Sequence, residues 1–458
     1  MSNSLMTGSV AHVLDAIGGT PIVKLQKMAE HVPADIYVKL EYMNPGGSVK
    51  DRIGINIIDR AEAEGLIQPG GTIVEATSGN TGMGLALVAA VRGYKCIFVM
   101  PDKISEEKVA SLRAVGARVV ITPTNVEADD PRSYYSVSRR IADETPNAFY
   151  ANQYFNPANP ESHYLTTGPE LWEQTGGEID VFVSGLGTGG TISGTGSYLK
   201  ERKPSVKCVG GDPIGSIYYD LKRTGKMTEA FTYKVEGVGE DILPGTIDLE
   251  LVDEIFQVTD RESFHANREL ARSEGILTGG SGGLAVVAAI KYAEKSQKKE
   301  NIVVLLPDSA IRYLTKQFND TWMLENGFLG PEPGTDTVAD LLAERTGEVL
   351  SIAATQSVSD AVALMRNHDI SQAPVLDQGQ LAGVLDESNL LDHLLSGGEA
   401  TTQVGELATQ AFATAEKTTS LTALAPQFKN NKVVLAMDSG QVIGVISQID
   451  LIERMASA

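Results

Sequence analysis

The sequence predicts an α/β protein built on a mainly parallel sheet, followed by a smaller repeated module. Three observations predict it. From Ile17 to Leu306, β-branched runs alternate with helical patterns, the order that buries strands between crossover helices. Within that stretch, three segments rich in glycine and hydroxyl or amine side chains each stand between a strand and a helix. Beyond a glycine- and proline-rich stretch at 327–335, the chain echoes itself.

The first strand of interest, residues 36–40, leads into Asn44-Pro45-Gly46-Gly47-Ser48-Val49-Lys50-Asp51-Arg52 and then a helical pattern at 53–64. The glycine pair turns tightly. Lys50 then stands at the mouth of a helix at a sheet edge. Desolvation and a helix N-terminus both disfavour its charge there and make it a nucleophile. Most lysines are solvated surface groups, so the other segments must decide.

A strand at 72–74 runs into Glu75-Ala76-Thr77-Ser78-Gly79-Asn80-Thr81-Gly82, ahead of an apolar helix at 83–91. The hydroxyls of Thr77, Ser78 and Thr81, with the free N–H groups of a helix start, suit a small anion such as a carboxylate. A Ser/Thr-rich N-cap with no ligand has the same local sequence. Further strands are expected at 96–100, 119–121 and 302–306, with an amphipathic helix at 106–115. The strand at 180–184 precedes Gly185-Leu186-Gly187-Thr188-Gly189-Gly190-Thr191 and a helix at 192–199. Its glycines let backbone wrap a phosphate at the positive end of the helix. It matches neither the Walker pattern nor the full dinucleotide fingerprint.

The tail repeats at an offset of about 60 residues, Gly383 to Leu390 echoing Gly444 to Leu451. Each copy carries an earlier helix and strand, at 359–365 with 373–376 and at 421–428 with 433–437. The domains are thus expected at 1–325 and 336–458, joined by a linker at 326–335, since 458 residues exceed one domain of ordinary size.

Composition narrows the partners. The 38 Lys+Arg and 59 Asp+Glu residues leave a net charge of −21, which argues against nucleic acid and anionic membranes. With 42% hydrophobic and 21% charged residues the chain reads as soluble and globular. The two cysteines, Cys96 and Cys208, sit in strand-like contexts and read as buried thiols. No two of the six histidines have ligand spacing, so no metal site is expected. Residues 1–8 lack a signal-peptide pattern and no apolar stretch is long enough to span a bilayer, which fits a cytoplasmic protein.

Lysine, carboxylate cradle and phosphate cradle together describe a site for a phosphorylated aldehyde and an amino acid. The motifs NPGGSVKDR, ATSGNTG, GTGGTISG, GGSGG and LPDS run in one order along the chain. They resemble the fold-type II pyridoxal-phosphate enzymes, most closely the cystathionine β-synthases, over nearly the whole length. The resemblance implies a tryptophan synthase β-like fold of two α/β subdomains with parallel-rich sheets, and a C-terminal tandem CBS-domain (Bateman) module. It implies pyridoxal 5′-phosphate held covalently by Lys50, with Asn80 on the ring oxygen and Ser281 facing the pyridine nitrogen. Ser281 also reads locally as a helix N-cap. Gly187, Thr188, Gly189, Gly190 and Thr191 match the phosphate loop. Thr77, Ser78, Thr81 and Gln153 match positions that hold the substrate carboxylate. Tyr154 and Glu236 are candidates for the second substrate. Glu240 stands where an aromatic is frequent, so no role is carried over to it.

The implied reaction is β-replacement: serine, or cysteine, loses its β-substituent and homocysteine adds to give cystathionine. The rival within the fold is O-acetylserine sulfhydrylase, a cysteine synthase. The segments 100–117 and 306–316, Tyr154 and the tail favour the first. A rival of another class is a regulatory protein with an inactive scaffold, against which Lys50, Asn80 and Ser281 stand. Heme is not expected, because the catalytic pattern starts near Ile17. Redox gating by a Cys-X-X-Cys is excluded, because the matching segment reads Lys203-Pro204-Ser205-Val206. In the tail, Ile370, Gln372, Ser447 and Asp450 are expected to form one site for S-adenosylmethionine or another adenosyl ligand. A module that only drives assembly is the other reading. The scaffold implies a homodimer or higher homo-oligomer.

Overall fold

The computed structural model describes residues 9–77, 79–102, 104, 106–124, 126, 130–329, 336–343, 349–410, 412–429, 431, 433–438 and 440–457. The chain divides into two compact units, 1–317 and 318–458.

The strands of the first unit are β1 (Ile22–Lys24), β2 (Asp35–Leu40), β3 (Thr72–Ala76), β4 (Lys95–Pro101), β5 (Arg118–Thr122), β6 (Ala148–Tyr150), β7 (Val181–Gly185), β8 (Lys207–Pro213), β9 (Glu254–Val258) and β10 (Asn301–Leu306). They form two sheets, ordered β1-β2-β10-β7-β8-β9 and β5-β4-β3-β6. Every pairing is parallel except β1 on β2. Parallel strands need crossover helices, which cover both faces and keep the strands apolar. Accordingly β3 is buried along its whole length and β10 is buried after its first residue.

The crossover helices are α1 (Lys50–Ala63), α2 (Asn80–Arg92), α3 (Glu106–Ala114), α4 (Tyr134–Glu144), α5 (Ala158–Leu165), α6 (Thr167–Gln174), α7 (Gly190–Arg202), α8 (Tyr218–Thr224), α9 (Asp260–Glu269) and α10 (Gly280–Ser296). Three begin earlier than the apolar pattern suggests. Their first turns, Lys50 to Arg52, Asn80 to Gly82 and Gly190 to Thr191, are polar or glycine-rich and so carry no apolar periodicity. One core packs Ile53, Ile57, Leu85, Phe98 and Met100 beneath the four-stranded sheet. A second packs Val49, Phe182, Leu186, Leu199 and Tyr218 around the six-stranded one. Cys96 and Cys208 are buried free thiols in these cores.

The second unit contains α11 (Asp320–Glu325), α12 (Val338–Ala343) and two copies of one motif. The first copy is β11 (Ile352–Ala353), α13 (Val358–His368), β12 (Gln372–Asp377), β13 (Gln380–Asp386) and α14 (Glu387–Leu395). The second is β14 (Ala413–Glu416), α15 (Leu421–Leu424), β15 (Val433–Asp438), β16 (Gln441–Ser447) and α16 (Gln448–Ser457). Each copy is a three-stranded sheet, one parallel and one antiparallel pair, with matching bulges at Val375/Leu376 and Ala436/Met437. Val384, Val433 and Leu435 form an apolar seam between copies. Leu324 of α11 packs into the core of the second copy. Part of the expected linker, residues 330–335, lies outside the described residues.

Candidate active site

Parallel strands point their carboxyl ends one way, and loops leaving β2, β7 and β10 converge there. The Val49 N–H donates to the Pro307 carbonyl at 2.8 Å, which moors the lysine loop just past β10. Gly279 N–H and the Thr278 hydroxyl donate to the Asp308 carbonyl at 3.1 and 3.0 Å, which moors the start of α10. The Asp308 carboxylate accepts from Asn80 Nδ2 at 2.9 Å and from the Tyr313 hydroxyl at 2.6 Å. Arg312 donates to Asn80 Oδ1 and to the Gly46 carbonyl. Asp308 and Arg312 thus tie the segments bearing Lys50, Asn80 and Ser281 into one place. Nothing in the local sequence marks either beyond the motif LPDS.

Lys50 is the first residue of α1, one position past the Val49 N-cap. The positive end of the helix disfavours an ammonium there. Among the described residues, none hydrogen-bonds or ion-pairs with its amine. Its surface is partly exposed, yet desolvation still pulls its pKa down to about 8, against the opposing pull of Glu240, Glu75 and Asp308. Glu75, fully buried on β3, accepts the N–H groups of Asn152 at 2.6 Å and Gln153 at 3.3 Å, and burial lifts its carboxyl to about 8.

The loop from β7 to α7 is shaped for an anion. Gly189 has φ +85°, and a Cβ there would stand 2.2 Å from Ile247 Cβ. A Cβ on Gly190 would stand 2.0 Å from Asn159 Oδ1, and one on Gly187 2.9 Å from the Gly237 carbonyl oxygen. Among the described residues, none accepts the backbone N–H of Thr188, Gly189, Gly190 or Thr191. Behind the loop, Asn159 Nδ2 donates to the Thr188 hydroxyl at 3.1 Å, and the Thr246 hydroxyl donates to the Thr188 carbonyl at 2.5 Å. Buried His163 bridges the hydroxyls of Thr167 and Thr191 at 2.9 and 3.2 Å. Burial, with Lys50 and Arg52 adding, keeps that imidazole neutral. Unsatisfied N–H donors lining a concave loop, opposite an unpaired amine, fit the phosphate and aldehyde of pyridoxal phosphate.

The remaining predicted residues fall around this frame. Ser281 is buried at the second position of α10 and Gly279 is the N-cap, so Ser281 does not cap the helix. The Thr77 hydroxyl accepts the N–H of Gly79 at 3.0 Å and of Gly82 at 3.3 Å. Thr81 donates to Gln153 Oε1 at 2.6 Å. Ser78 lies outside the described residues. Tyr154 lies against Tyr134 and Tyr135, its hydroxyl 3.5 Å from that of Tyr134. Glu236 is clasped by Lys108 and Lys316; burial opposes its charge, and the two ammonium groups outweigh it and hold its pKa down.

In the tail, Ser447 and Asp450 bond each other. The Ser447 N–H and hydroxyl donate to Asp450 Oδ2 at 2.6 and 2.5 Å, which caps α16. Asp386 and Asn389 cap α14 the same way. Gln372 pairs with Asp386 across β12 and β13, and Ile370 packs on the first copy's core. The four predicted residues therefore divide between the copies, two in each. Among the described residues no cluster of side chains could hold a metal ion, and no helix is long and apolar enough to cross a membrane.

Comparison with known proteins accords with this geometry. Residues 13–308 match the family model of the pyridoxal-phosphate dependent enzymes, and 338–396 and 404–457 each match a CBS domain. A cystathionine beta-synthase of Dictyostelium discoideum is 40% identical, over 96% of this chain and 91% of that protein. One from Saccharomyces cerevisiae is 39% identical, over 84% and 81%. A cysteine synthase of Staphylococcus aureus is 44% identical over 67% of this chain and 96% of its own. Among solved structures, a hydrogen sulfide-producing enzyme from Fusobacterium nucleatum superposes with a TM-score of 0.62 at 39% identity, over 67% of this chain and 99% of that one.

Proposed function

The chain belongs to the pyridoxal-phosphate-dependent enzymes and, within them, to the cystathionine β-synthases; from that premise we propose how its residues divide the β-replacement of L-serine by L-homocysteine, which gives L-cystathionine and water. The observation that carries the reading is likeness to cystathionine β-synthases through the C-terminal repeat, where the cysteine synthase match spans two thirds of the chain. L-Cysteine in place of serine would release hydrogen sulfide instead of water.

Pyridoxal phosphate, when bound, would be held through Lys50 and would supply an aldehyde and an electron sink for the pair left when the substrate Cα–H bond breaks. The N–H groups from Thr188 to Thr191 would hold its phosphate, and Asn80 its ring oxygen. Ser281 would offer a hydroxyl and not a carboxylate to the ring nitrogen, which would keep that sink modest and favour quick loss of a β-substituent. The substrate carboxylate would take the donors of Thr77, Ser78, Thr81 and Gln153, with Thr81 exchanging its bond to Gln153 for one to the substrate.

Lys50 carries the proton work. An amine with a pKa of about 8 keeps a neutral fraction near physiological pH that a solvated lysine lacks, and that form can accept the α-proton. As an ammonium it can then give that proton to the departing hydroxide, the poorest leaving group in the sequence of steps. General acid–base help of this kind contributes roughly 10²–10⁴-fold. Tyr154 and Glu236 are assigned to the homocysteine side, Glu236 through the charge pattern it forms with Lys108 and Lys316. In the tail, Ser447 and Asp450 with Ile370 and Gln372 are assigned to an adenosyl ligand, S-adenosylmethionine foremost.

The test is product identity by mass spectrometry. Serine, cysteine or O-acetylserine is supplied with homocysteine or with sulfide, each with and without S-adenosylmethionine. Cystathionine from serine, abolished by Lys50→Ala, is the expected result. Turnover of O-acetylserine with sulfide alone would make the chain a cysteine synthase with a regulatory tail. Indifference of both rate and melting temperature to S-adenosylmethionine, AMP and ATP would remove the adenosyl site.

A further inference from the structure

We propose that Glu240 is a further catalytic residue: its carboxylate takes the thiol proton of the second substrate and passes it, by way of Lys50, to the product. The inference rests on the β-replacement reading above and adds the group that activates the nucleophile.

Glu240 lies on residues 235–244, a loop fastened to the phosphate loop. Gly239 N–H donates to the Leu186 carbonyl at 2.6 Å. The Glu240 N–H donates to the Ser216 hydroxyl at 3.1 Å, and its carbonyl accepts the Ile217 N–H at 3.2 Å. The backbone of Glu240 is thus held in register with the cradle that fixes the cofactor. Among the described residues, no hydrogen bond or ion pair reaches its carboxylate. Its surface is partly exposed, yet a carboxyl partly withdrawn from water without a partner is costly to keep, and such groups concentrate where chemistry is done.

Its surroundings suit a thiol. Of the acidic groups opposing the loss of charge at Lys50, Glu240 acts most strongly. Asp241, Lys50 and Asp212 are the charged groups that act on Glu240 in turn. Five phenols feel its charge: Tyr134, Tyr135, Tyr154, Tyr218 and Tyr233. Burial drives each phenol's pKa upward, so none of them competes as a base. Glu240 and Lys50 thus stand within electrostatic reach of each other beside these phenols, neither side chain making a hydrogen bond or ion pair among the described residues. Burial, with Asp241 adding, lifts the Glu240 carboxyl to about 8, close to a free thiol at about 8.5, so transfer between them is nearly level.

The protons balance. Lys50 takes the Cα proton and gives it to hydroxide as the C–O bond breaks, and water leaves. A sulfur lone pair then forms the C–S bond while the S–H proton moves to Glu240. Lys50, now neutral, receives that proton and returns one to Cα. No oxidant or further reactant enters.

The test compares Glu240→Gln and Glu240→Asp with the native holoenzyme in two separate measurements. One is exchange of the serine Cα–H for solvent deuterium without thiol. The other is thioether formation at pH 7 with homocysteine and with 5-thio-2-nitrobenzoate, an aromatic thiol already ionised at that pH. In Glu240→Gln, exchange is expected to persist, the homocysteine rate to fall by roughly 10²–10⁴-fold, and the thionitrobenzoate rate to stay within a few-fold of native. Its rising pH limb with homocysteine should move up toward the pKa of the free thiol, and Glu240→Asp should recover part of the rate. Equal losses with both thiols, or loss of exchange, would overturn the proposal. Failure of the serine–homocysteine reading shows separately, as absence of cystathionine from the native enzyme. The same two-thiol comparison is then made with O-acetylserine, and equal losses there overturn the role of Glu240 as well.

Discussion

Arg52, two residues beyond Lys50, shows how single side chains hold the site in place. Its guanidinium donates to Glu41 at 2.7 and 2.8 Å and to Glu170 at 2.7 Å through two nitrogens. Lys39 adds bonds to Glu170 and to the Thr20 carbonyl. Lys39 and Glu41 are wholly buried, so removing one charge strands the others. Glu41→Gln is expected to cost about 3–5 kcal/mol, read from denaturant unfolding of the native chain and the variant. A cost within about 0.5 kcal/mol, the range of ordinary surface changes, would show the cluster to be dispensable. The acid limb follows from Glu170. Burial opposes its charge, but Arg52, the Gly19 N–H and Lys39 prevail and hold it at about 2. Its folded pKa lies below its unfolded one, so its contribution is present above about pH 4.5 and is lost as pH falls toward 2. At this scale Lys50 and the loop threonines were legible because each stands in a strand–turn–helix motif. Asp308 was not, since its bond to Asn80 crosses 228 residues and no local pattern encodes it. Neither was Glu75, which reads as a strand residue until the Asn152 and Gln153 N–H groups are seen to converge on it.

At the scale of elements, the phosphate loop depends on backbone that only glycine allows. Gly189 combines φ +85° with a neighbour where its Cβ would go. Gly189→Ala must therefore move the loop away from Ile247 or the start of α7. It is expected to weaken pyridoxal phosphate binding at least tenfold, measured by titrating the apoenzyme with the cofactor. Unchanged affinity would mean that the loop is not the cradle. Strands with β-branched runs, such as β4, β5, β7 and β10, could be read directly from the chain. Short ones could not. β1 and β6 have three residues each and no room for an alternating pattern. Sheet order was also hidden, because β10 inserts between β2 and β7 through contacts distant in sequence. In the tail, Ser447 and Asp450 match a ligand-gripping pattern in sequence from which Asp386 and Asn389 depart, yet the geometry shows both pairs capping helices, α16 and α14.

At the scale of the whole molecule, the order of motifs carries the function while topology carries the site. Segments around residues 50, 80, 188, 281 and 308 are scattered over the first unit, and bonds from residues 307, 308 and 312 draw those at 50, 80 and 281 together. The second unit has its own cores, built by repetition of one motif, and takes α11 into one of them through Leu324. The composition shift at 327–335 falls after α11, because a short amphipathic helix carries no glycine or proline signal of its own. We propose that this convergence selects Lys50 among all the lysines of the chain. It is tested most directly by reducing the holoenzyme with borohydride, digesting it, and locating the pyridoxyl group by mass spectrometry. The group is predicted on the peptide containing Lys50, and absent from that peptide in Lys50→Ala. A pyridoxyl group on another lysine of the native enzyme, such as Lys108 or Lys316, would contradict the account.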